Sequence, residues 1–177
     1  MMSLRTRSFP MACGLVLLLA NSASAFALED DACSNSAVPR TTPSSDFTVI
    51  GDGSIVRHET TDLEWQRCSL GQTWDGSTCS GSASSYTWSA ALQAAASAGG
   101  DWRLPNVNEL ASIAEECRIS PAINRVVFPN TPSSLFWSAS PFEGVTDFAW
   151  PVSFGTGGDL WDFAGNSFRV RLVRGGQ

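Results

Sequence analysis

The stretch Asp101-Trp102-Arg103-Leu104-Pro105-Asn106-Val107-Asn108-Glu109-Leu110 decides how this chain folds. Asn106 can accept from the free amides of a starting helix while Glu109, three residues on, reaches back to the Asn106 amide, which is a capping box. Leu110, Ile113, Ala114 and Cys117 follow at helical spacing. The pattern therefore predicts a helix that turns Cys117 to the core, with Pro121 at or just after its end. Ahead of the cap, Trp102 and Leu104 can seal the core, and Arg103 can pair with a carboxylate or helix-end carbonyls. Pro105-Asn106 launches the helix, so the string from Trp102 to Glu109 reads as structural, not catalytic.

Toward the N-terminus, Trp88, Ala91, Leu92, Ala95 and Ala96 share a helical stripe over residues 88–98. Thr87 caps it and Gly99-Gly100 stops it. Further out, residues 47–50 and 55–59 flank Gly51-Asp52-Gly53-Ser54, a turn whose Asp-Gly accepts positive backbone angles, and this predicts a hairpin. Residues 63–68 alternate, with Leu63, Trp65 and Arg67 on one face and Glu64, Gln66 and Cys68 on the other. Residues 31–46, rich in Ser, Thr and Pro, read as an irregular arm without packed elements.

Toward the C-terminus the period changes to two, and residues 135–138, 148–154, 160–163 and 168–173 read as short strands. Phe148, Trp150, Val152 and Phe154 point one way, while Pro151, lacking an amide hydrogen, marks an edge or a bulge. Gly155-Thr156-Gly157-Gly158 is a turn. Val170-Arg171-Leu172 reads as a central or closing strand whose arginines meet acidic partners. The result is an α+β chain, two short helices with a small twisted antiparallel sheet.

Arg5 and Arg7 precede an apolar run over residues 11–20, closed by Ala23-Ser24-Ala25, the layout of an export signal cleaved before Phe26. That run falls short of the roughly 20 residues a membrane-spanning helix needs. The reading divides the chain into a signal at 1–25, an arm at 26–46 and one domain at 47–177, secreted, periplasmic or on the cell surface, with no integral membrane segment after cleavage. After cleavage 17 Asp and Glu face nine arginines and no lysine. Such a balance opposes a nucleic-acid partner, whose phosphates call for a basic footprint.

Four cysteines remain after cleavage, an even number suited to an oxidising compartment. Sequence permits three pairings; Cys68 and Cys79 enclose a short polar loop suited to a local crosslink, which favours Cys68–Cys79 and leaves Cys33 to tie the arm to Cys117. The absence of CxxC pairs and the single histidine argue against zinc. No EF-hand loop is present for calcium, and no cofactor is expected.

Catalysis would call for an activated nucleophile and a tuned base. His58, the lone imidazole, reads as an exposed strand residue. Glu115 and Glu116 are adjacent and do not face one another on a helix. Asp159 and Asp162 offer no specific evidence for the separation a glycosidase requires. Binding reads better: Trp150 and Trp161 can stack on sugar rings or peptide side chains, with Ser153, Asp159, Asp162 and Asn166 supplying hydrogen bonds. The competing reading makes the two tryptophans cross-strand core residues.

The strings Asp62-Leu63-Glu64-Trp65, Gly71-Gln72-Thr73-Trp74-Asp75-Gly76, Tyr86-Thr87-Trp88, Asp101-Trp102-Arg103-Leu104-Pro105-Asn106, Phe136-Trp137-Ser138 and Val170-Arg171-Leu172-Val173-Arg174 resemble the Lcl C-terminal domain family. The resemblance runs in order from about Asp46 to Arg174. It implies a C-type lectin-like fold related to the formylglycine-generating enzyme group, and a module of exported bacterial proteins, one of them a collagen-like adhesin that binds sulfated glycosaminoglycans. No Gly-X-Y tract is present here. The expectation is a non-catalytic recognition module for a glycan or cell-surface protein, or alternatively a structural subunit of an envelope or fibre assembly.

Overall fold

A computed structural model describes residues 32–176, so the expected export signal and its cleavage point lie outside the described residues. In chain order the elements are β1 (Phe47–Ile50), β2 (Ile55–His58), β3 (Leu63–Gln66), β4 (Thr73–Trp74), β5 (Cys79–Ser80), α1 (Trp88–Ser97), α2 (Val107–Ala111), β6 (Leu135–Pro141), β7 (Phe148–Ser153), β8 (Asp162–Phe163) and β9 (Val173–Gly175). They form a four-stranded sheet ordered β1-β2-β3-β9, a β4-β5 ribbon and a three-stranded sheet ordered β6-β7-β8, all antiparallel. The α+β expectation holds, as separate small sheets.

The β1–β2 hairpin forms where Asp-Gly predicts it, with the Gly53 amide donating to the Ile50 carbonyl at 3.1 Å. Alternation then sorts the sheet's faces. Val56, Leu63, Trp65 and Val173 are buried on the inside. Arg57, Glu64 and Arg174 lie outside, Glu64 accepting from Arg57 at 3.1 Å and from Arg174 at 2.7 Å. The inner face packs with Leu110 and Ile113, and with Phe128, Phe136, Val152 and Phe154. A second cluster joins Ala91 and Ala95 of α1 to Leu104, Trp137, Val170 and Leu172.

Both helix starts are as the sequence specifies. Thr87 accepts from the Ala90 amide at 3.4 Å. At α2 the capping box closes in both directions at 2.8 Å, and the Glu109 carboxylate also takes two 2.7 Å hydrogen bonds from Arg103. But α2 ends at Ala111, well before Cys117. The Ser112 hydroxyl donates to the Glu109 carbonyl at 2.7 Å, and the chain leaves the helix to bridge Ala114 with Ile123.

This early exit changes what Glu115 does. Its buried carboxylate accepts from the amides of Thr41 and Thr42, both at 2.9 Å, from the Thr42 hydroxyl at 3.0 Å and from the Cys117 amide at 3.2 Å. The arm therefore corrects one expectation: it holds only a 3-10 turn, Ser44–Asp46, yet it is packed, with Thr42 and Ser44 buried. The Cys33–Cys117 bond closes this clamp, and Cys68–Cys79 closes the β4–β5 ribbon. Both pairings are the favoured ones.

Three further expectations are corrected. Residues 168–173 make single bridges from Phe168 and Arg169, and a strand begins only at Val173. Arg171 meets no carboxylate among the described residues; it is fully buried and donates to the carbonyls of Gln66 (2.8 Å) and Arg67 and to the hydroxyls of Thr131 (2.7 Å) and Ser69 (3.4 Å). Carbonyls at and just past the end of β3, with two hydroxyls, are the acceptors an acid was expected to provide. His58 is buried, not exposed, because it shares the inward face with Val56; its ring stacks on Phe47 at 4.6 Å. Pro151 lies on the central strand of its sheet, opposite a bulge between Trp137 and Pro141, so the bulge reading holds and the edge reading does not.

Candidate functional site

One end of the three-stranded sheet carries its aromatic side chains outward. Phe142 follows β6, Phe148 and Trp150 stand on β7, Trp161 precedes β8 and Phe163 ends it. Their rings form a continuous series: Trp150–Phe142 at 5.6 Å, Phe142–Trp161 at 5.7 Å, Trp161–Phe148 at 5.4 Å and Phe148–Phe163 at 5.9 Å. Trp161 is 55% exposed and Phe163 49%, with Leu160 and Val145 also exposed. Rings so placed stiffen one another by tilted and edge-to-face contacts while leaving apolar surface in water.

The platform's charge has one sign. Glu143, Asp147, Asp159 and Asp162 lie within residues 142–163, and no Lys, Arg or His occurs from Val126 to Phe168. The local field therefore repels polyanions and favours neutral or cationic groups.

Of the residues expected to bind, Trp150, Trp161, Asp162 and Asn166 are brought to this end. Trp150 and Trp161 do not form a cross-strand core pair; Phe142 joins them and Trp161 is exposed. The Asp162 carboxylate accepts from the Asn166 amide and from the Phe163 backbone, both at 2.7 Å, so these two polar groups brace the turn after β8. Ser153 and Asp159 are engaged on the β7 side of the glycine-rich turn. The Ser153 hydroxyl accepts from the amides of Gly155 at 3.2 Å and Thr156 at 3.3 Å, inside the glycine-rich turn, and Asp159 bridges Val152. Phe142, Phe148 and Phe163 were not singled out from sequence. Their signal was the density of rings in a segment free of basic residues.

Within the string from Trp102 to Glu109, Arg103 and the Asn106 amide hold the Glu109 carboxylate at the start of α2. Leu104 is buried, Trp102 is half-buried, and Arg174 stacks on the Trp102 ring at 4.6 Å. Burial, the largest single influence, pushes the Glu109 carboxyl up, but the Arg103 hydrogen bonds, the Asn106 amide and the Arg103 charge together hold the group below the ordinary carboxylate range. Arg171 is pushed down to about 9 by burial and, less, by the neighbouring Arg67 charge. Among the described residues, no group of three His, Cys, Asp or Glu side chains is placed to hold a metal ion, and no helix is long and apolar enough to cross a membrane.

Small sheets, two short helices and two disulfides define a disulfide-stapled α+β domain of the kind found in oxidising compartments. Residues 54–174, well over half of the sequence, match the Lcl C-terminal domain, and the chain belongs to that family. No curated protein matches it significantly.

Proposed function

We propose that this chain is an exported, non-catalytic recognition module with a C-type lectin-like fold that binds a partner outside the cell, a surface protein or a glycan, through the aromatic platform. The observation that carries the reading is the five-ring series ending in exposed Trp161 and Phe163. Aromatic anchors held in place before binding lose little entropy on association. The acidic surround favours neutral or cationic partners and disfavours the sulfated polyanions bound by the family's collagen-like adhesin.

One feature also supports the second reading, a subunit of an envelope or fibre assembly. Because Asp162 and Asn166 bond to one another, the surface beside Trp161 is chiefly rings, which suits protein contact. A glycan and envelope-protein binding screen of the mature chain, repeated across salt, tests both. The expected result is saturable, salt-insensitive binding that Trp161→Ala removes while near-UV circular dichroism shows a native fold. No reproducible partner, or full binding by the variant, overturns the platform reading; fixed stoichiometry in a high-mass complex selects the assembly reading.

A further inference from the structure

We infer that the outward face of the four-stranded sheet carries a second binding site, a groove between Trp74 and Trp102 that takes a short segment of a neutral saccharide. The groove has a volume of about 350 Å³, within the range of small-ligand sites. Its floor includes the cross-strand pair Ile55 and Gln66. The two tryptophans line it from different parts of the chain, one from the β4–β5 ribbon and the other from the segment that leads to α2.

Each ring is fixed in the same manner. Arg67 lies over Trp74 at 4.4 Å, and Arg174 over Trp102 at 4.6 Å. A glycine turn approaches each: a Cβ on Gly53 would stand 3.3 Å from Trp74, and one on Gly100 3.6 Å from Trp102, both glycines having positive φ. The Trp74 indole also donates to the Asp52 carbonyl at 3.2 Å, and its ribbon is closed by Cys68–Cys79. Walls immobilised in the free protein lower the entropic cost of holding a ligand.

The chemistry between the walls selects the ligand. Among the described residues, no charged side chain lines the groove. Both arginines stack on the rings with their donors engaged, Arg67 donating to the carbonyls of Val127, Gly53 and Val126, and Arg174 to Glu64. Gln72 is engaged by the Ser69 amide and the Asn130 carbonyl. The Gln66 carboxamide and the Thr73 hydroxyl, in contrast, have no hydrogen-bond partner among the described residues. Two aromatic walls with a free amide and a free hydroxyl between them match a pyranose ring, which has apolar C–H faces and a hydroxyl rim. A sulfated sugar would bring charge with no cation among the described lining residues to meet it.

The test uses the mature disulfide-bonded chain with cellohexaose and chitohexaose as neutral probes and a heparin hexasaccharide as the sulfated one, followed by calorimetry and tryptophan fluorescence. A neutral probe is expected to bind saturably with a Kd unchanged by salt. Gln66→Ala should weaken it about fivefold, the worth of one hydrogen bond. Trp102→Ala should weaken it roughly 30-fold, as loss of an aromatic anchor does. Because Trp102 also packs on the second core cluster, Gln66→Ala and Thr73→Val, which remove only groove-lining groups, carry the test independently of folding. Failure of both neutral probes to bind overturns the inference, as does preference for the sulfated probe or wild-type affinity in the groove variants. The platform reading stands or falls separately: Trp161→Ala should leave saccharide binding unchanged.

Discussion

On the four-stranded sheet the outer surface is a ladder of ion pairs, Arg57–Glu64–Arg174, over an interior of Val56, Leu63, Trp65 and Val173. At the free end of the three-stranded sheet the arrangement is inverted: Trp161, Phe163 and Leu160 face water. The first region also keeps charge inside, since Arg67 and Arg171 are buried with carbonyls and hydroxyls as partners. Buried groups of this kind hold loops together where no strand pairing does, whereas the exposed rings hold little beyond each other. Stability and recognition should therefore separate by region, and substitutions can break that separation or sharpen it.

The largest effect is expected at Arg171. Truncation to Ala removes donors from two carbonyls and two hydroxyls at once and empties the space over Phe128, where the guanidinium stands 4.7 Å from the ring. Unfolding in urea should show a loss of about 3–5 kcal/mol. Lys, a point charge without the planar fork, should recover only part of it. A loss no larger than that of a surface substitution would end the view that buried arginines hold this half together.

Next comes the arm. Replacing Cys33 and Cys117 together by Ser opens a crosslink spanning 84 residues and should cost about 2–4 kcal/mol in the same assay. Glu115 should then carry the largest share of the attachment, beside hydrogen bonds from the Asn35 amide to the Cys117 carbonyl and from the Thr41 hydroxyl to the Ala114 carbonyl, so adding Glu115→Gln should open residues 32–42 further to proteolysis. If the double cysteine variant is already cleaved there, the carboxylate clamp has little strength of its own.

A third effect follows pH. Burial lowers the pKa of His58 from its ordinary 6.5 despite the opposing charges of Asp46 and Glu59. With a folded pKa below the unfolded one, the native state binds fewer protons. Stability is thus complete above about pH 6.5 and declines as pH falls toward the folded value. Glu115 joins at lower pH. Burial pushes its carboxyl up, but the Thr41, Thr42 and Cys117 amides prevail and hold it below 4.5, so its contribution disappears as pH falls through the folded value. His58→Phe should flatten the first decline and leave the second. An unchanged profile would show that the imidazole is not the group responsible.

Which of these groups the sequence could reveal depends on how local their causes are. Asn106 and Glu109, Thr87 and Asp52-Gly53 act over a few residues, and each forms the cap or turn its spacing predicts. The α2 boundary was not local: helical spacing continued to Cys117, but Ala114 found a strand partner in Ile123 and Glu115 found the arm. Arg171 shows the same limit, since its acceptors lie 40 to 105 residues away. For the candidate site, Trp150 and Trp161 were visible as unusual aromatics in a strand region. Ser153 spends its hydroxyl inside a turn, and such internal hydrogen bonds cannot be distinguished from ligand contacts by residue type.

Trp161 should give the smallest stability effect and the sharpest functional one. Its ring is more than half exposed and touches Phe142 at 5.7 Å and Phe148 at 5.4 Å. Truncation to Ala forfeits these contacts but uncovers no buried polar group, so the expected loss is about 1 kcal/mol or less. An anchor at the centre of an interface is worth far more to the complex, and partner binding should fall by roughly 30-fold or more. These two numbers together discriminate: a large stability loss would make the platform an extension of the core, while unchanged binding would make it a surface without a partner. Only a small first number with a large second is compatible with rings kept outside for recognition.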